Sequence, residues 1–203
     1  MTAPTLALYG TATSGHTHRV ETFLAMLELP HRFVEAPAAV RQSPEFLAMN
    51  PLGQIPVLQD GALVLADSNA ILVYLARRYA PGSAWLPDDP VGAARVQRWL
   101  SIAAGEIMYG PATARMATRW GTGPGDPARA VAIASRILAF MEAHLTAQPF
   151  LAAEHATLAD LACYAYVARA PEGRISLEPY AAVRAWLARV EALPRFKPMA
   201  SVA

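Results

Sequence analysis

Asn50-Pro51-Leu52-Gly53-Gln54-Ile55-Pro56-Val57-Leu58, and after a short gap Asp67-Ser68-Asn69-Ala70-Ile71-Leu72-Val73-Tyr74-Leu75, are the residues on which the fold turns. A proline at the start of a strand removes a backbone donor and can hold a cis peptide bond. A cis bond at Ile55–Pro56 would turn the Ile55 N–H and C=O outward, where an extended peptide could pair with them like an added strand. An ordinary turn before an edge strand fits the same spacing. Asp67-Ser68 opens a helix, where free N–H groups and the positive dipole end favour a carboxylate. Ser68 can add a hydroxyl donor and Asp67 can accept from an ammonium, so the pair suits the charged end of an amino acid. On these two residues alone, simple capping is the plainer explanation.

Upstream, Leu6–Tyr9 reads as a buried strand and Gly10–Gly15 as a loop of small and hydroxyl residues. Ser14 stands where an N-cap belongs, ahead of Val20, Phe23, Leu24 and Leu27 at helical spacing. A hydroxyl at such a helix start can donate to a thiolate, and the helix end lowers a thiol pKa from ~8.5 toward neutrality. Arg32–Glu35 is a second strand, and Ser43-Pro44-Glu45 opens a short helix with proline at its favoured first position. Ile55–Leu58 and Leu63–Leu65 are strands joined across the hairpin signal Asp60-Gly61. The order is strand, helix, strand, helix, strand, strand, helix.

Downstream of a turn-rich linker at 80–89 the pattern is helical throughout, with candidates at about 90–119, 127–147, 158–170 and 179–193. Gly110-Pro111 predicts a kink in the first. Thr157-Leu158-Ala159-Asp160 has the form of a capping box with Asp in place of Glu. The chain thus divides into 1–79, a linker at 80–89 and a helical domain at 90–203.

The chain has 203 residues, 54% apolar and 16% charged, with 17 basic and 16 acidic side chains. That near-neutral balance argues against nucleic-acid binding, and the apolar content against disorder. One cysteine, Cys163, excludes a disulfide framework and a cysteine-rich zinc site; the lone lysine, Lys197, lies outside any P-loop. No metal is expected. Met1–Leu8 lacks the form of a signal peptide, and no run reaches the ~18 clean apolar residues of a membrane span. A soluble, cytoplasmic protein without membrane or nucleic-acid partners is the expectation.

Taken together, Asn50–Leu58, Asp67–Leu75, Thr157–Asp160 and the ending Leu193-Pro194-Arg195-Phe196 resemble the cytosolic glutathione transferases, in particular serine-type members akin to the bacterial and plant phi, theta and beta classes. The resemblance covers nearly the whole chain. It implies an α/β thioredoxin-like N-terminal domain, an all-α C-terminal domain, glutathione as co-substrate and a homodimer. Ser14 aligns with the activating serine. Ile55, ahead of Pro56, would pair with the cysteinyl backbone of glutathione, and Asp67 and Ser68 would hold its γ-glutamyl end. Gln54 falls at a further contact, and Arg41 and Gln42 fall near the glycyl carboxylate. Gln42 is uncharged, which leaves that role to Arg41. His16 is either a contact to the tripeptide or a solvated first-turn side chain. Tyr9 lies one residue short of the catalytic tyrosine of tyrosine-type members and reads as a strand residue.

The resemblance also implies a second substrate between the loop at Ser14 and the helix at 90–119. Met108, Tyr109, Met116 and Trp120 there suggest an apolar, adaptable pocket. Glu106, if buried, needs an arginine partner: Arg98, Arg115 or Arg119. The implied activity is attack of the glutathione thiol on a small apolar electrophile or a peroxide, in detoxification. The alternatives are a non-catalytic binding protein of the same fold, or a glutathione-dependent isomerase, dehalogenase or ether-cleaving enzyme. Leu72 and Val73 lie beyond the stripe of Ile71 and Leu75, which suggests that their helix meets a partner surface.

Overall fold

The computed structural model describes residues 6–199. Met1–Thr5, part of the segment read for a leader, lie outside them. The chain forms two compact units, one running to Pro81 and joined by the residues from Pro194, the other spanning Gly82–Leu193. Among the described residues the first unit carries strands β1 (Leu6–Gly10), β2 (His31–Glu35), β3 (Val57–Asp60) and β4 (Leu63–Ala66). Its helices are α1 (Gly15–Met26), α2 (Ala38–Arg41), α3 (Pro44–Met49) and α4 (Ser68–Tyr79).

The sheet order is β2-β1-β3-β4. β1 and β2 run parallel, and the β1–β3 and β3–β4 pairs are antiparallel. The parallel pair needs a crossover, which α1 supplies. The antiparallel pair β3–β4 needs only the tight loop Gly61-Ala62, with Gly61 at φ +57°. β3 begins at Val57, because Pro56 has no N–H to give the ladder. Leu6 and Leu8 of β1, Val20, Phe23 and Leu24 of α1, and Ile71, Leu72 and Leu75 of α4 are buried. Leu72 is therefore satisfied within its own chain, contrary to the expectation of a partner surface for it; Val73 is only half-buried.

Two features hold the helices to this sheet. Asp60 accepts hydrogen bonds from Tyr74 (2.8 Å) and from Tyr79, which ties α4 to the end of β3. The chain returns at its far end to α1: the Lys197 carbonyl lies 2.6 Å from His18 Nε2, Phe196 meets the His18 ring edge-on, and Arg195 pairs with Glu28 at 2.6 Å.

The second unit contains α5 (Pro90–Ile102), a π-helical segment (Ala103–Ala112), α6 (Thr113–Trp120), α7 (Pro127–Ala147), α8 (Leu158–Ala168) and α9 (Ala181–Glu191). Gly110-Pro111, where a kink is expected, sits inside a widened π turn. Pro111 has no N–H for the regular ladder, and the Thr113 hydroxyl donates to the Met108 carbonyl at 2.8 Å. A Cβ on Gly110 would stand 3.0 Å from the Ala134 backbone nitrogen, so glycine lets the segment press against α7. By length and mean hydropathy α7 could cross a membrane, but Arg129, Arg136 and Glu142 interrupt it and its Ala134, Ile137, Leu138 and Met141 are buried in the unit.

α8 is the buried centre of the unit. The capping box at its start is complete, and Asp160 does more than cap. Its Oδ1 accepts from Leu151 N (3.0 Å) and Trp186 Nε1 (2.9 Å), and its Oδ2 from Thr157 N (2.8 Å) and the Thr157 hydroxyl (3.2 Å). Burial pushes the Asp160 carboxyl above its usual value, and these four donors pull the other way. Cys163 is a buried thiol that reaches the Trp99 carbonyl at 3.7 Å.

Candidate active site

The register of the sheet gathers the residues singled out in the first unit. Tyr9, Val57 and Ala66 form one row across β1, β3 and β4. The chain leaving β1 into Thr11–Ser14, the chain entering β3 through Ile55–Pro56 and the chain leaving β4 into Asp67–Ser68 therefore all lie at one end of the sheet. β2 ends there too, since it runs parallel to β1 and Gly10 pairs with Glu35. α2, which follows β2, leads to Arg41.

Each position is fixed locally. Ser14 caps α1 and its Oγ accepts from Thr17 N at 3.3 Å, so the hydroxyl proton is not consumed by the cap. Gly10 lets α1 approach, since a Cβ there would stand 2.3 Å from Thr17 Cγ2. The Ile55–Pro56 peptide is cis. Asn50 holds the turn before it, donating from its side-chain amide to the Gln54 carbonyl at 2.9 Å and accepting from Leu52 N at 3.2 Å. Arg41 and Gln42 face the same turn, for a Cβ on Gly53 would lie 3.3 Å from the Arg41 carbonyl oxygen and 3.4 Å from Gln42 Nε2. Arg41 Nε is buried without a hydrogen-bond partner among the described residues, a donor that an anion would satisfy.

Asp67 caps α4 at φ +72°, a region that side chains other than glycine rarely enter. Strain of this kind collects at functional positions. Its Oδ1 accepts from Asn69 N and Ala70 N, both at 2.9 Å. Ser68 is buried, and its Oγ stands 3.2 Å from His16 Nδ1 and 3.2 Å from Arg19 Nη1. Arg19 also donates to Asn69 Oδ1 at 2.9 Å. The His16 contact joins the first turn of α1 to the first residue of α4. Burial first, and then the Arg19 guanidinium, lower the His16 pKa from 6.5 to about 3, so its imidazole is neutral at physiological pH.

Arg19 and Asn69 were not singled out from the sequence. The signal was present for Arg19, an arginine one turn ahead of Phe23 on the apolar face of α1. Gln54 is exposed beside Ile55. The Tyr9 hydroxyl is engaged with Gln59 Oε1 at 3.3 Å, and its ring packs edge-on to Phe46.

In the second unit, a cavity of about 500 Å³ opens between the π segment and α7, lined by Glu106, Tyr109, Ile133, Arg129 and Arg136 among others. Of the four residues expected to form an apolar pocket, Tyr109 borders this cavity. Met108, Met116 and Trp120 do not, and the Trp120 ring instead covers the Arg115 guanidinium at 5.0 Å. Glu106 is half-exposed on the cavity wall and needs no arginine; Arg115 pairs with Glu172 at 2.6 Å. Among the described residues no group of three or more His, Cys, Asp or Glu side chains could hold a metal ion.

Comparison with known proteins identifies the family and the fold. Residues 8–83 match the glutathione S-transferase N-terminal domain and residues 125–194 its C-terminal domain. Glutathione S-transferase 3 of Zea mays is 33% identical over 95% of this chain and 91% of the maize protein. A crystal structure of a possible glutathione S-transferase from Rhodopseudomonas palustris superposes with a TM-score of 0.88 at 31% identity, covering 98% of this chain and 99% of that one. The theta class enzyme of Xanthomonas axonopodis pv. citri, solved with glutathione bound, gives a TM-score of 0.84 at 27% identity over 98% of this chain and 99% of its own. The first unit is the thioredoxin-like half and the second the helical half of one known architecture, and the chain belongs to the glutathione S-transferase family.

Proposed function

We propose that the protein is a glutathione transferase whose first unit binds glutathione across one end of the sheet and activates its thiol with Ser14. The observation that carries this reading is the shared row Tyr9–Val57–Ala66, which brings Ser14, Ile55 and Asp67–Ser68 to the same end. The residues present suit the parts of the tripeptide. Ser14 has a proton to give to a sulfur at a helix N-terminus, which favours the thiolate. Ile55 offers backbone N–H and C=O to a cysteinyl main chain. Ser68 at the start of α4 suits a carboxylate and Asp67 an ammonium, while Arg41, with its orphaned Nε, suits the glycyl carboxylate. Gln54 and Gln42 flank the turn before Pro56 at this end of the sheet. Tyr109, Met108, Met116 and Trp120 are the candidates for contact with a small apolar electrophile in the second unit. The enzyme acts in the cytoplasm, in detoxification.

Isothermal titration tests the binding half. The native protein should take up glutathione at micromolar to millimolar concentration. Arg41→Ala should weaken it about tenfold, as expected for loss of one hydrogen bond to a charged group. No heat at millimolar glutathione would refute the reading.

A homodimer accompanies it. Leu52, 76% exposed at the tip of the Asn50–Gly53 turn, and Leu63 and Val64 on the edge strand β4 are apolar side chains left uncovered by their own unit. Light scattering after size exclusion at micromolar concentration should give about twice 21.7 kDa, and a clean 21.7 kDa species would contradict it.

A further inference from the structure

We infer that His16 is a positioning residue: it sets the direction in which the Ser68 hydroxyl gives its proton, and through Ser68 it controls the grip on the carboxylate of the γ-glutamyl end. The inference rests on the glutathione-binding reading above and adds the step by which the free site changes to the occupied one.

The Ser68 hydroxyl has one proton and two lone pairs. Arg19 Nη1, at 3.2 Å, can only donate, so Ser68 Oγ accepts from it. The Ser68 proton must then go to another acceptor, and His16 Nδ1 at 3.2 Å is in reach. A protonated imidazole could not accept; burial and the Arg19 charge keep this one neutral. In the free protein the ring therefore carries its proton on Nε2 and accepts at Nδ1. Arg19 is itself fixed by Asn69 at 2.9 Å, so the hydroxyl cannot escape the arrangement by pushing the guanidinium aside.

A carboxylate arriving at the start of α4 competes for the same proton. Once Ser68 donates to it, two lone pairs face each other between Oγ and Nδ1. The neutral ring removes that conflict by losing its proton from Nε2 to water and gaining one at Nδ1, with no net uptake. It then donates to Oγ. Ser68 now accepts from both Arg19 and His16 and gives its proton wholly to the ligand. His16 is half-buried, so water can carry this exchange. Leucine can serve in neither state. Asparagine can serve in both, since a turned amide presents either its oxygen or its NH₂.

The test combines kinetics with spectroscopy on the full chain. His16→Leu should raise the glutathione KM about tenfold, the worth of one hydrogen bond in a charged network, with kcat held within about twofold. His16→Asn should stay within about threefold of the native KM. In protein labelled with ¹⁵N-histidine, the ring resonances absent from His16→Asn identify His16. They should report the Nε2–H tautomer in the free protein and Nδ1–H after glutathione is added. An analogue with the γ-glutamyl α-carboxylate converted to an amide should leave the free tautomer in place. A native KM in His16→Leu, an equal defect in His16→Asn, or an unchanged tautomer with glutathione bound would overturn the inference while leaving the binding reading intact. Failure of the native protein to bind glutathione at all would overturn both.

Discussion

Ser14→Ala is expected to lower kcat for conjugation of glutathione to a chloronitroaromatic probe by about 10²–10³-fold, the usual loss when one preorganised donor to developing charge is removed. The glutathione KM should change no more than a few-fold, because in the proposed complex the backbone of Ile55, Arg41 at the end of α2 and the start of α4 hold the rest of the tripeptide. The reason lies in the cap. Ser14 Oγ accepts from Thr17 N, so its proton remains for the sulfur, and alanine removes both functions. Losing the cap costs about 1 kcal/mol of stability, too little to unfold the protein. Ser14→Thr keeps cap and donor and should retain most of the rate. Full activity in Ser14→Ala would assign the role elsewhere, with Thr11 and Thr13 the next hydroxyls to replace.

Asp160→Ala carries the largest expected effect on stability, a loss on the order of 4 kcal/mol in urea unfolding followed by far-UV circular dichroism. The substitution strands Leu151 N, Thr157 N and Trp186 Nε1 in a buried site and removes one half of the capping box of α8. Against a typical total of about 5–15 kcal/mol, that is a large fraction of the stability. Asp160→Asn should fall between, since its amide oxygen still accepts while its NH₂ meets donors. An unchanged urea midpoint in Asp160→Ala would show that the donors find other partners.

Much of this architecture was legible in the residues because local and long-range signals agree. The 127–147 helix matches α7 end for end, with Pro127 at its first turn and Asp126 as cap. The succession of strands and helices along the first unit, α2 apart, also follows from the pattern. What escaped depended on contacts far apart in sequence. α2 spans a single turn without a side-chain cap, too short to show a period. The π segment reflects the meeting of Gly110 with the α7 backbone, which no local rule anticipates. Leu72 lies beyond the apolar stripe of α4 and is nevertheless fully buried within the chain. Glu106, which would need a partner if buried, stands half in solvent.

The site shows the same division. Ser14, Ile55, Asp67 and Ser68 stand out as candidates in the sequence because each sits at a strand or helix end, where chemistry and capping use the same residue types. Met108 and Tyr109 are adjacent in the π segment, yet of the two only Tyr109 borders the cavity in the second unit. Arg19 escaped because its partners, Ser68 and Asn69, lie some fifty residues away in the chain. Neither the cap of α1 nor that of α4 by itself reveals that one arginine and one histidine join them.

The central claim is that the start of α1 holds the glutathione sulfur as a thiolate, and ultraviolet titration of thiolate absorbance in the binary complex measures this directly. The bound thiol should ionise at least one pH unit below the free tripeptide in the native protein, a shift worth about 1.4 kcal/mol, and should lose most of that shift in Ser14→Ala. A bound thiol that titrates with the free tripeptide, or an equal shift in the alanine variant, would contradict the account.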